Sequence, residues 1–363
     1  MKKIIIAAYI LLCICLTGCG GTNQKDYGEN YNQEQDAQNF SMIRNAAATE
    51  NGFYVLQDQY VYFIDKKSKK AVPLCGKPNC KHKDNSCNAY FTHPENIQAY
   101  AGNLYVVAGG SEELTCSLYR ISLDGSQREE LKVLFRYDSG DSGCSLDFTI
   151  HRGYGYMAVN WMQKDREKKT QTLYQILLDS SDEKKEVAKV TGYVPLINVN
   201  ETRGNHIYFT TSCYLDKDGT EEELLNYEWN ILDGSSKKLN IPKGEALLAV
   251  RGERYFCYQD GKGLRSYDEN GKNEKKLFEL QYEICSVCRD EKYIYFDNEP
   301  CADSVSERRI MVVDYDGNVI CERKNMTENS PEIIWSDSKQ VLLQNIEKET
   351  YQILNLKEIS TLK

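Results

Sequence analysis

Four side chains that could bind a metal lie close together in the first third of the chain. They form a C-x4-C-x-H-x4-C array of Cys75, Cys80, His82 and Cys87. Three thiolates and one neutral imidazole can hold Zn²⁺ tetrahedrally, and a closed set of four protein ligands is typical of a structural zinc site. The spacing does not match a common zinc finger. One interpretation of the array is therefore a structural zinc site of Cys3His type.

The same cysteines allow a second interpretation. One disulfide, for instance between Cys75 and Cys87, would leave Cys80 to pair elsewhere, and an exported protein permits such bonds. Eleven cysteines follow Cys19, so at least one is unpaired if all the others pair within the chain. The residues alone leave metal and disulfide open.

Trp161 is a candidate of another kind, because it stands at the start of a long loop. An exposed indole can stack on a ligand such as a sugar. The alternative is that Trp161 packs between neighbouring units of the fold. The histidines outside the array are scattered through different units, and we identify no catalytic residues.

These residues must be positioned by β-strands, and the strands of this chain recur as copies of one unit. Five strand cores begin with glycine, and two weaker copies begin at Lys292 and Lys339. The five are GFYVL at Gly52, GNLYVV at Gly102, GYGYMAV at Gly153, GNHIYFT at Gly204 and GERYFCY at Gly252. The starts recur about every 40 to 50 residues, a period typical of propellers and solenoids.

Each core has a short apolar strand before it and two more strands after it, so a unit holds four antiparallel strands. Several of the third strands end in Asp-Gly, which predicts a tight hairpin turn with positive φ. We predict an all-β fold, a β-propeller of about seven four-stranded blades. If the last unit is incomplete, or if residues 40–48 pair with it, the number becomes six or eight.

The strands of a blade, named a to d in chain order, alternate in direction. The b–c loops and d–a links emerge at one end, named the loop face, and the a–b and c–d turns at the other, named the turn face. All of the longer insertions fall at the loop face: residues 75–95, 109–115, 136–145, 161–170, 212–223 and 298–307. Long loops on a rigid scaffold tend to carry binding sites, so we predict that the loop face binds the ligand.

The first residues predict export. Residues 1–18 have a basic start, an apolar run and small residues before Cys19, the layout of a secretory signal. The LTGC sequence at 16–19 resembles the lipobox of bacterial lipoproteins, which implies a lipid on Cys19. Residues 20–39 are polar and nearly free of aliphatic side chains, so we expect a disordered tether. The chain then divides into signal peptide 1–18, lipidated cysteine and tether 19–39, and one propeller domain 40–363.

The strand repeats and the LTGC sequence together resemble the TolB-like and related β-propeller surface lipoproteins of Gram-positive bacteria. The resemblance covers nearly all of the chain after Cys19, and it rests on the repeats and the lipobox rather than on an activity motif. It implies a protein anchored by lipid to the cell membrane and facing the extracytoplasmic side.

Charge narrows the range of partners. The net charge is −9, and it becomes −11 (43 basic against 54 acidic side chains) without Lys2 and Lys3 of the signal, which disfavours nucleic acid. We expect a non-enzymatic binding or scaffolding module for an unknown protein, peptide or glycan. The alternative is an extracellular hydrolase or lyase acting on carbohydrate or peptide, which requires paired Asp or Glu side chains near the propeller axis.

Overall fold

The computed structural model describes residues 40–41, 44–137, 144–161, 167–259, 262–279, 286–298, 308–326, 330–345 and 348–360. The predicted signal peptide, Cys19 and the tether lie outside these residues, as does most of the 298–307 insertion. Almost every regular element in the described part is a strand, which confirms the predicted all-β class. None of the described helices is long and apolar enough to cross a membrane.

The first four blades follow one another along the chain, after a short strand β1 (Phe40–Ser41). Blade 1 contains β2 (Ala46–Ala48), β3 (Gly52–Gln57), β4 (Tyr60–Asp65) and β5 (Ala71–Pro73). Blade 2 contains β6 (Asn96–Tyr100), β7 (Asn103–Gly109), β8 (Thr115–Ser122) and β9 (Arg128–Arg136). Blades 3 and 4 contain β10 (Cys144–His151), β11 (Tyr154–Trp161), β12 (Lys168–Leu177), β13 (Lys184–Arg203), β14 (His206–Tyr214), β15 (Glu222–Asn230) and β16 (Ser236–Lys238).

The last three blades complete the described chain. Blade 5 contains β17 (Ala246–Arg251), β18 (Arg254–Gln259), β19 (Gly263–Asp268) and β20 (Lys275–Phe278). Blade 6 contains β21 (Ser286–Arg289), β22 (Tyr293–Asn298), β23 (Arg308–Asp314) and β24 (Val319–Met326). Blade 7 contains β25 (Glu332–Ser336), β26 (Gln340–Asn345) and β27 (Thr350–Asn355), followed by helix α1 (Leu356–Ile359).

Blades 3 and 4 share the long strand β13, which pairs with β12 through its first half and with β14 through its second half. The partner changes between Tyr193 and Leu196, where the register shifts and Val194 has a φ of 49°. Pro195 has no N–H to donate to a neighbouring strand, so the ladder is interrupted there. The seven-stranded sheet therefore consists of two blades joined without a loop.

Two features at the chain ends explain why the number of blades was open. Blade 7 has three strands, and α1 follows the third of them and contacts β24 of blade 6. Strand β1 pairs with β21 of blade 6 rather than with the last blade. Residues 46–48 form strand a of blade 1. The described chain thus forms seven blades, the predicted number.

Among the described residues, seven clusters of buried apolar side chains fill the spaces between successive blades. Strand β7 shows how one strand serves two of them, because neighbouring side chains of a strand point to opposite faces. Leu104 and Val106 pack toward blade 1, whereas Tyr105 and Val107 pack toward blade 3. Blade 7 packs on blade 1 in the same way, and the rings of Phe53 and Trp335 lie 5.0 Å apart there.

Candidate functional site

The Cys/His insert (residues 75–95) brings the four predicted metal ligands together. The ligand atoms of Cys75, Cys80, His82 and Cys87 all lie within 4.8 Å of one another. His82 Nδ1 is 3.2 Å from Cys87 Sγ. A tetrahedral zinc with Zn–S bonds of about 2.3 Å has sulfur–sulfur edges of roughly 3.8 Å, so the spacing suits such an ion. The three cysteines are free thiols, and this group could hold a metal.

Local backbone geometry folds the insert around its sulfurs. Cys75 follows the end of β5, and Asn79 and His82 then turn the chain with φ of 59° and 50°. The backbone N–H groups of Lys77 and Asn88 lie near Cys75 Sγ and act to lower the pKa of this thiol. Backbone donors aimed at a sulfur favour its thiolate, the form that binds metal.

Burial differs among the cysteines and moves their pKa values in opposite directions. Burial raises the pKa of Cys87 to about 11, although the N–H of Ala89 lowers it in part. Burial also acts to raise the pKa of Cys75, but the donors on its sulfur prevail and lower it. A metal ion would displace the proton from both sulfurs, because thiolates and not thiols ligate zinc.

Side chains from neighbouring strands hold the backbone of the insert. Arg128, the first residue of β9, donates from Nη2 to the carbonyl of Asn85 at 2.8 Å and from Nη1 to that of Cys87 at 3.0 Å. Arg128 Nη1 also donates to the carbonyl of Tyr90. From the other side, Tyr60 Oη donates to the His82 carbonyl at 2.8 Å. The ligand loop is therefore fixed by blades 1 and 2 together.

The insert contacts both ends of blade 2. Gly76 N donates to the carbonyl of Gly125 at 2.9 Å, and Asn88 Nδ2 donates to the same oxygen at 2.8 Å. Gly125 is the glycine of a predicted Asp-Gly turn, with a φ of 68°, and a Cβ there would lie 2.6 Å from the Leu74 carbonyl. Farther along, the Thr92 carbonyl accepts from Gly109 N at 2.6 Å. The insert thus spans from the c–d turn of blade 2 to its b–c loop.

Strand a is the inner strand of each blade, because the first strands of neighbouring blades contact one another around the central channel. A cavity of about 510 Å³ lies where the inner strands of blades 2 to 6 begin, at the loop face. This cavity is named the channel mouth. Its polar lining includes Ser145, Asn198, Asn200 and Ser212, and its apolar lining includes Leu247 and Tyr258. Asn198 and Ser145 are exposed although they belong to inner strands. The volume lies within the range of small-ligand pockets.

A buried ion pair contributes to the lining of the channel mouth. Arg44 Nη1 is 2.6 Å from Asp147 Oδ1, and Arg44 also donates to the carbonyls of Phe148 at 2.5 Å and Val199 at 2.9 Å. Burial lowers the pKa of Arg44 and raises that of Asp147, and in each case the partner's charge acts in the opposite direction. The pair carries no net charge when both groups are ionised.

A second ionic group joins the inner strands of blades 4, 5 and 6. Glu201 Oε2 accepts from Arg251 at 2.8 Å and from Arg289 at 2.7 Å, and all three side chains are largely buried. Burial acts to raise the pKa of Glu201, but the two guanidinium charges outweigh it and lower that pKa. Sequence reasoning missed this group, because its members are separated by about a blade each. The available signal was the presence of charged residues in strands that are otherwise apolar.

Trp161, the predicted ligand-stacking residue, is half-buried at the end of β11. Its ring meets Phe135 edge-on at 5.6 Å and Tyr137 edge-on at 6.0 Å between centroids. The described residues that line the channel mouth do not include Trp161. The indole therefore packs between blades 2 and 3, and its role toward a ligand stays a prediction.

Comparison with known proteins supports the fold. No protein-family model matches the chain, and no curated protein matches it. A prolyl endopeptidase structure aligns with a TM-score of 0.56 at 11% identity, over 89% of this chain and 50% of that chain. A CNH domain aligns with a TM-score of 0.48 at 9% identity, over 89% and 97%. An oligogalacturonate lyase from Vibrio parahaemolyticus aligns with a TM-score of 0.43 at 11% identity, over 84% and 86%.

The chain spans about half the length of the prolyl endopeptidase that it matches. At such low identity the similarity shows the fold alone, which is propeller-like in agreement with the seven blades. The fold by itself does not identify an activity, since propellers serve many functions.

Proposed function

We propose that the protein is a lipid-anchored, extracytoplasmic binding module whose ligand enters the channel mouth. The observation that carries this proposal is the cavity of about 510 Å³ at the loop face. A rigid ring of blades surrounds it, and the described b–c loops 110–114 of blade 2 and 215–221 of blade 4 emerge at the same end. The resemblance to TolB-like surface lipoproteins supports the lipid anchor at Cys19 and the location outside the cytoplasm.

The lining of the channel mouth favours a polar ligand without negative charge, such as part of a glycan or peptide. Arg44 and Asp147 compensate each other's charge, and Glu95 adds a carboxylate whose Oε1 accepts from Tyr137 Oη at 3.2 Å. Exposed Asn198 and Ser145 offer hydrogen bonds, and Leu247 and Tyr258 offer apolar contact. Such a combination fixes the orientation of a ligand while burying its apolar surface.

A binding screen tests the proposal. The soluble domain is applied to glycan and peptide arrays, and each hit is measured again with Asn198→Trp, which fills the channel mouth. The matched control is Glu253→Trp, an equally large change at an exposed a–b turn on the turn face. We expect the Asn198 variant alone to lose at least tenfold in affinity. Equal binding by both variants would remove the channel mouth as the ligand site.

The buried carboxylates of the inner strands bear on the enzymatic alternative. A hydrolase or lyase of carbohydrate or peptide needs two carboxyl groups placed for acid–base work. Asp147 and Glu201 are each held by arginine, at 2.6 Å from Arg44 and at 2.7 Å from Arg289. These contacts assign the two groups to the scaffold. Glu95 is the further carboxylate among the described residues that line the channel mouth, and a single such group does not supply the pair that acid–base work needs, which favours binding over catalysis.

We propose further that the Cys/His insert holds a structural Zn²⁺. Cys75, Cys80, His82 and Cys87 would complete four-coordination and leave no position for substrate. The bound ion would tie strand β5 of blade 1 to the turn at Gly125 of blade 2 through the loop between them. A chelator is expected to lower the melting temperature of the wild-type protein but not that of Cys80→Ser. An identical shift in both proteins would contradict the zinc proposal.

A further inference from the structure

The N-terminal segment of the domain enters the propeller through its central channel. Phe40 pairs with Arg289 and Ser41 pairs with Cys288, antiparallel to β21. Arg289 lies at the a–b turn end of β21, because it pairs with Ile294 across that turn. The described chain therefore begins at the turn face and runs toward the loop face.

The same segment then reaches the channel mouth. The Arg44 carbonyl accepts from Ile97 N at 3.1 Å, near the start of the inner strand of blade 2. The Asn45 carbonyl accepts from Leu56 N at 2.8 Å, next to the b–c turn of blade 1. Strand β2 then runs back toward the turn face as the inner strand of blade 1. The described residues 40–41 thus lie toward the turn-face end of the channel and 44–45 at its loop-face end, where the chain reverses into β2.

We infer that the chain before Phe40 leaves the propeller from the turn face, so that the channel mouth points away from the membrane. The direction of the segment follows from the strand register alone. The membrane statement rests on the proposed lipid anchor at Cys19. A partner that uses the channel mouth then approaches from the aqueous side, as a soluble glycan or peptide does, and is not a lipid of the same membrane.

The reach of the tether, compared with the distance between the two faces, decides how strongly the domain is oriented. Inner strands of six to eight residues, such as β17 and β10, separate the two faces by roughly 20 to 26 Å. A coil of 20 residues, the length of 20–39, has a root-mean-square reach of about 25 Å. Such a coil would permit considerable rotation of the domain. A shortened tether should hold the turn face closest to the bilayer.

Förster resonance energy transfer from a dye on the protein to an acceptor on the membrane surface tests the orientation. The mature chain, with a polyhistidine tag in place of residues 1–19, is bound to vesicles that contain nickel-chelating lipid and an acceptor on the headgroups. A donor dye is attached through an unnatural amino acid at Glu253 on the turn face or at Glu113 in the b–c loop of blade 2. Both are exposed glutamates, so the two positions form a matched pair. Each protein is made with the full tether and with residues 24–37 deleted.

With the shortened tether we expect transfer from the Glu253 position to exceed that from the Glu113 position about twofold, and the difference should shrink with the full tether. Equal transfer from both positions with the short tether, or the reverse order, would overturn the inference. Membrane fractionation of cells that express Cys19→Ser tests the lipid anchor separately. If that variant stays in the membrane fraction, the anchor at Cys19 fails while the vesicle result still decides the direction of the chain.

Discussion

The Cys/His insert and the channel differ in how they bring polar side chains together. In the insert, four potential ligands come from one loop and lie within 4.8 Å of one another. In the channel, charged side chains from blades 4, 5 and 6 meet at Glu201, and each belongs to a different inner strand. The insert can therefore open without separating blades, whereas the channel group cannot. A change in the insert should act locally, and a change in the channel should act on the whole ring.

The largest effect is expected at the ionic group around Glu201, near the turn-face end of the inner strands. Glu201→Ala leaves Arg251 and Arg289 without their shared carboxylate, and breaking a buried ion pair of this kind costs about 3 to 5 kcal/mol. Urea unfolding measures the loss. Glu129→Ala is the control, because its pair with Arg120 is exposed at 57% and 42% and is worth about 0 to 1 kcal/mol. Equal losses of unfolding free energy in the two variants would contradict the distinction between the buried ionic group and the exposed ion pair.

The ionic group around Glu201 also predicts that the stability of the protein depends on pH. The pKa of Glu201 is lowered from its ordinary value of 4.5 in the folded protein by its two arginines. A carboxyl group with a lowered folded pKa stabilises the protein above the unfolded value and loses this contribution as pH falls through the folded one. Unfolding curves between pH 7 and pH 3 should show wild-type stability falling below about pH 4.5, and a smaller fall in Glu201→Gln.

Arg128→Ala should have a smaller and more local effect. The guanidinium donates to three backbone carbonyls of the insert, so its loss is expected to cost about 1 to 3 kcal/mol. Hydrogen exchange should accelerate in residues 75–91 and stay unchanged in the inner strands. Arg128→Lys keeps the charge but not the fork of donors, and we expect an intermediate result. Faster exchange around Glu201 in the Ala variant would refute a local role.

The smallest effect is expected at Trp161. Its edge-to-face contacts with Phe135 and Tyr137 are each worth about 0.5 to 1.5 kcal/mol, so Trp161→Phe should lower stability by about 1 kcal/mol. Affinity for a ligand of the channel mouth should stay within about twofold of wild type. A loss of affinity without a loss of stability would instead assign Trp161 to ligand stacking.

Local patterns in the chain predicted most of the fold. The glycine-led core at Gly102 and the Asp-Gly turn at Gly125 are patterns that depend only on neighbours within a few residues. The structure has both where the repeat predicts them. The shared strand β13 was not predicted, because a change of partner at Val194 leaves no loop and hence no gap in the pattern. The pairing of β1 with blade 6 depends on ring closure, which no local pattern encodes.

The two candidate sites also differ in how far local sequence patterns could predict them. The ligands of the insert were predictable because thirteen consecutive residues contain all four of them. The channel mouth was not predictable in its residues, because Asn198 and Leu247 stand about 50 positions apart and meet only when the blades close. Only its location at the loop face was expected, from the lengths of the insertions. The ion pair of Arg44 with Asp147 likewise joins residues 44 and 147 through tertiary structure alone.

Elemental analysis of the purified mature protein, combined with mass-spectrometric mapping of its thiols, tests most directly the claim that the insert is a metal centre. We predict one zinc per chain, unoxidised Cys75, Cys80 and Cys87, and loss of the zinc in Cys80→Ser while the inner-strand hydrogen exchange is retained. A protein without zinc in which Cys75 is joined to Cys87 by a disulfide would contradict it.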